Sequence, residues 1–94
     1  MPGHTVTLTL LLDEAMKLLQ PRGGKNQGGG MQYRYRKWKQ ALDPVTFRIT
    51  LDEDDLLFIR RTIPNWRNGG YQAATKQIFE RPLREHDLEQ RTAW

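Results

Sequence analysis

Cysteine is absent from all 94 residues. Disulfides, thiolate metal sites and cysteine nucleophiles are therefore excluded together, and the composition fits a reducing, cytoplasmic setting. Long apolar runs are also missing. Nothing approaches the roughly 20 residues that cross a bilayer. The opening MPGHTVTLTLLL lacks the basic region and small-residue cleavage site of a secretory leader, so it is expected to be a strand. Histidine occurs only as His4 and His86, near opposite chain ends and without ligand-spaced neighbours. No nucleophile–base arrangement can be assembled from them, so no catalytic residue, metal site or cofactor is assigned and the protein is expected not to be an enzyme.

Acidic residues are missing from one long stretch. Between Arg22 and Lys39 lie Arg22, Lys25, Arg34, Arg36, Lys37 and Lys39 with no carboxylate among them, in a chain of formal charge +4. The acids gather at Asp52–Asp55 and towards the C-terminus. A chain so polarised is suited to a polyanionic partner.

Val45–Pro64 carries the clearest structural signals. Val45, Phe47, Ile49 and Leu51 alternate with Thr46, Arg48 and Thr50, the period of a strand buried on one face. Asp52 stands at the N-cap of a following helix, with Glu53, Asp54 and Asp55 in its first turn, where the free N–H groups and the helix dipole favour negative charge. Capping explains this acidic run without a metal, because successive helical residues point in different directions. Leu56, Ile59 and Ile63 share one helical face; Arg60 and Arg61 suit the last turn, and Pro64 ends the ladder.

Val6, Leu8, Leu10 and Leu12 predict an earlier strand, followed by a short helix with Met16, Leu18 and Leu19 that stops before Pro21. The two strand-to-helix junctions align 39 residues apart, Leu12-Asp13-Glu14 matching Leu51-Asp52-Glu53. Convergence on common capping preferences explains this more economically than duplication. Pro21–Gly30, with five glycines, reads as a flexible loop. It has neither phosphate-loop nor dinucleotide-fold spacing.

Met31–Lys39 is aromatic and basic and is expected to form a strand, with Tyr33 and Tyr35 buried and Arg34 and Arg36 outside. After a turn at Ala41–Pro44, Val45–Leu51 would pair antiparallel with it and bring Arg48 beside those arginines. Tyr71–Glu80 predicts a last helix ending at Pro82, before a tail over 82–94 that is either a short docked helix or loose and open to a partner.

The expected fold is a single small α+β domain of order β-α-β-β-α-α. Its three-stranded sheet would be covered on one face by helices, with a fourth edge strand and a ferredoxin-like variant left open. Leu11, on an otherwise polar sheet face, points to a docking patch or a homodimer. The expected function is a non-enzymatic nucleic-acid-binding or regulatory accessory protein, favouring single strands or RNA. Lys25, Arg34, Arg36, Lys37, Lys39 and Arg48 would meet phosphates, with Trp38 at the sheet edge. The rival is a protein-interaction adaptor or inhibitor using Trp66, Arg67 and Tyr71, residue types enriched at interface hot spots.

Overall fold

In a computed structural model the chain is described over residues 4–20 and 30–92. Strand β1 (Thr5–Thr9) leads into helix α1 (Leu12–Leu19); helix α2 (Gly30–Ala41) precedes strand β2 (Arg48–Asp52), which runs into helix α3 (Glu53–Thr62). A 3-10 segment (Ile63–Asn68) then turns the chain into the long helix α4 (Gly70–Thr92). Among the described residues, no helix is long and apolar enough to cross a membrane.

Among the described residues the sheet has two strands, not three. β1 and β2 pair antiparallel, with Leu8 opposite Ile49 and Val6 opposite Leu51. Leu8, Ile49 and Leu51 face inward, while Thr7 and Thr50 touch through their hydroxyls at 3.0 Å on the wet side. This overturns the three-stranded sheet and the ferredoxin-like variant, because Met31–Lys39 lies within helix α2. Gln32, Arg34, Arg36, Lys37, Lys39, Gln40 and Ala41 all favour helix. A 3.6-residue period, unlike strand alternation, puts Tyr35, Trp38 and Leu42 on one buried face.

β2 begins later than the apolar alternation predicts. The Asp43 carboxylate accepts from the N–H groups of Val45 (2.8 Å) and Thr46 (3.3 Å), tying them into a turn. Phe47 then adopts φ 59°, a left-handed conformation uncommon for a bulky residue. It is held there by its own N–H donating to the Asp43 carbonyl and by its carbonyl accepting from Leu10 N–H. Leu42 bridges to Ile49 beyond β2 and covers part of that outer edge.

Pro82 does not end the last helix as expected; α4 runs through it to Thr92 and incorporates the predicted tail as far as that residue. Pro82 and Leu83 are buried, and Arg60 grips Asp87 through two bonds of 3.0 and 2.9 Å. Packing and this fork hold the C-terminal half on the body despite the lost backbone donor.

One core joins both strands and all four helices, with Trp38 and Phe79 edge-to-face at 5.1 Å near its centre. Truncating Phe79 to Ala should cost about 3–5 kcal/mol in denaturant unfolding. Exposed Val45→Ala should stay within about 0.5 kcal/mol.

Candidate functional site

Helix α2 carries most of the residues singled out in the sequence and distributes them over three faces. One face enters the core. Trp38 is fully buried there, with its ring 5.2 Å from that of Tyr35 and its indole N–H without an acceptor among the described residues. It therefore presents no ring to a ligand, contrary to its expected place at a sheet edge.

The second face meets the start of α3. Asp52 caps that helix, accepting from Asp55 N–H at 2.8 Å, as the sequence predicts. Asp55, only 1% exposed, holds Arg34 Nη1 at 3.0 Å and Lys37 Nζ at 3.0 Å. Arg34 reaches Asp54 with its other nitrogen at 3.1 Å and lies 4.2 Å above the Phe58 ring; Lys37 also meets Asp52 at 2.8 Å. These two cations, expected to face phosphates, are neutralised by the molecule's own acids. The hydrogen bond from Lys37, then that from Asp55 N–H, holds the Asp52 carboxyl below its usual range. Bonds to Asp52 and Asp55 push Lys37 up to about 12.

The third face is open to water. Tyr33 is 63% exposed, Arg36 is exposed one turn further on, and Lys39 is half-buried. Arg36 and Lys39 have no carboxylate partner among the described residues. Together with Gln32, Tyr35 and Tyr71 they line a cavity of about 160 Å³. Tyr35 supplies the floor: its hydroxyl lies 2.9 Å from the Thr75 hydroxyl and donates to Tyr71 O at 3.3 Å, while its ring lies 4.8 Å from the Tyr71 ring.

Tyr71 thus joins the basic set to the one read separately around the Asn68-Gly69 turn. Gly69 and Gly70 take positive φ values of 79° and 56°, which glycine adopts without a Cβ penalty, and they turn the chain from the 3-10 segment into α4. Trp66, 40% exposed, stands at that corner with the Arg67 guanidinium 5.6 Å and the Lys76 ammonium 5.1 Å from its ring. Among the described residues the exposed aromatics are therefore Tyr33 and Trp66, and the cations of α2 without a carboxylate partner are Arg36 and Lys39. Helical spacing could have shown this, since Arg36 and Lys39 are one turn apart on a helix, whereas strand alternation pairs Arg36 with Arg34 and puts Lys39 on the other face.

Arg48 is not brought to this face. It projects from β2 opposite Thr9, on the wet side of the sheet with Thr50, while α2 packs on the inner side. Lys25 lies outside the described residues. Among the described residues, no three of His, Asp and Glu are grouped to hold a metal ion.

The network between α2 and α3 has a pH signature. Asp52, with its pKa depressed, contributes stability that is full above its unfolded value near 3.9 and is lost as pH falls through the lower folded value. Lys37, with its pKa raised, contributes stability that is full below 10.5 and is lost as pH rises through about 12. The stability difference between the native protein and Lys37→Met, followed by urea unfolding, should accordingly be largest from about pH 4 to 10.5 and shrink at both ends. A constant difference across pH would contradict the assignment. Comparison of the chain with protein-family models, curated proteins and solved structures finds no match.

Proposed function

We propose that the protein is a non-enzymatic nucleic-acid-binding accessory protein that takes single-stranded nucleic acid, RNA included, on the outer face of α2 and the adjoining corner of α4. The observation that carries this reading is the pair Arg36 and Lys39. Among the described residues neither has a carboxylate partner, and the exposed Tyr33 precedes Arg36 by one helical turn, whereas Arg34 and Lys37 on the same helix are engaged by Asp52, Asp54 and Asp55. Single strands need cations for phosphates and flat rings for bases. Arg36, Lys39 and Arg67 supply the first, and Tyr33 and Trp66 the second.

The same geometry limits the strength of binding. Three phosphate contacts on a single strand give a log–log salt slope of about −2. Binding followed by fluorescence anisotropy of a labelled single strand should therefore weaken about fifteen- to twentyfold between about 50 and 200 mM salt. The double substitution Arg36→Ala/Lys39→Ala should lower affinity about tenfold or more and bring the slope to about −0.7, with thermal unfolding unchanged. Arg34→Ala behaves differently: it leaves a buried carboxylate short of a partner and costs about 3 kcal/mol of stability. Absence of binding at low salt would refute the proposal. An adaptor role through Trp66 and Arg67 would instead show as a protein partner retained by the native chain and lost on Trp66→Ala.

A further inference from the structure

The outer side of α1 is apolar. Leu12 and Met16 are each 61% exposed and Leu19 is 46% exposed, spaced at i, i+4 and i+7 along one side of the helix, with Leu11 exposed just before it. The opposite side carries Ala15 and Leu18 and is buried, where α1 packs on α4 and α2. Among the described residues, the other exposed apolar side chains on the helices stand alone by comparison. Leu57 has only Glu53, Asp54, Arg60 and Arg61 three and four positions away, and Leu88 only Arg84, Glu85, Arg91 and Thr92. A row of three is a docking surface in a way that single residues are not.

We propose that this row is the contact between two copies of the chain, packed with their α1 helices antiparallel about a two-fold axis near Met16. The row reads almost the same from either end, a leucine, a central methionine and a leucine, as a self-complementary contact requires. In that arrangement Leu12 meets the partner's Leu19 and the two Met16 side chains meet each other. Asp13 and the partner's Lys17 then fall on the same flank, as opposite charges. The segment continuing from α1, Pro21–Gly29, contains no large apolar side chain and is chemically unsuited to cover the row. Being short, α1 buries less than the roughly 800 Å² per partner of a standard interface, so the dimer dissociates on dilution.

Sedimentation equilibrium over a range of protein concentrations tests this. The native chain should shift from monomer to dimer with rising concentration, and Met16→Glu should remain monomeric with an unchanged melting curve, since the side chain is exposed. Because the chain has no cysteine, Met16→Cys should also form a disulfide-linked dimer on mild oxidation, several-fold faster than Val45→Cys, an exposed position outside the row. A native chain that stays monomeric throughout, or cross-linking equal at the two positions, would overturn the proposal.

Discussion

The buried carboxylate of Asp55 sets the rotation of α2, and with it the character of the protein's surface. Asp55 sits at the third position of α3, behind the Asp52 cap, and its two oxygens are held by Arg34 and Lys37. Those two residues lie one turn apart on α2, so a single acid anchors one face of that helix. With that face fixed and Tyr35, Trp38 and Leu42 in the core, the remaining arc of Tyr33, Arg36 and Lys39 is committed to water. The network need not add much net stability. Ion pairs of this kind commonly break even against apolar replacements, while loss of one partner is costly because the other charge stays buried. Its consequence lies in orientation: it decides which cations of α2 face water.

A second buried acid repeats the device at the other end of the sheet. Glu14 stands at the third position of α1, accepts from Leu11 N–H at 2.7 Å, and is gripped by Arg81 through bonds of 3.0 and 2.9 Å. Arg81 also donates to the carbonyl of Thr9, linking α4 to the edge of β1. The two junctions correspond through their caps and acids, Leu11 with Asp52, Glu14 with Asp55 and Leu18 with Ile59. Leu8 and Ile49, directly paired in the sheet, fall in the same alignment. That correspondence is two residues out of step with the match of Leu12-Asp13-Glu14 to Leu51-Asp52-Glu53. The sequence match rests on the acidic doublet, whereas the structure equates an uncapped leucine with a capping aspartate. Each long helix is clamped to a strand–helix junction by a guanidinium on a buried carboxylate, so both clamps tie segments distant in sequence.

How much of this was readable depended on whether local and tertiary preferences agreed. At Asp52 they do: the cap, the acidic first turn and Arg60 and Arg61 in the last turn all stand where the sequence places them. In Met31–Lys39 they conflict. Tyrosine and tryptophan suggested a pleated surface, but the helix-favouring residues between them and the reach of Arg34 and Lys37 to Asp55 decided the outcome. Strand alternation would have placed Arg34 and Lys37 on opposite faces, so the misreading also hid the ion-pair network. Pro82 misled differently. It removes one backbone donor, a local cost outweighed by burial of Pro82 and Leu83 and by the Arg60–Asp87 fork further along. At Val45 the decisive group was the Asp43 side chain, which competes with the sheet for two N–H groups. The two site readings, separate along the chain, meet in space at Tyr71 because Tyr35 packs against it, a contact no spacing rule could supply.

The proposed nucleic-acid face offers only a few cations. Taken singly, a three-phosphate contact sits near the weak, strongly salt-dependent end of nucleic-acid binding. Presenting the whole face twice is one way to add contacts. In the proposed dimer the contact would use Leu12, Met16 and Leu19 and none of the residues of the α2 outer face. A strand long enough to touch both faces meets twice the cations, doubling the salt slope, and its second contact forms at the high effective concentration set by the first. If both proposals hold, the apolar row and the basic face would act together: charge too sparse to hold a strand alone would be presented to it twice.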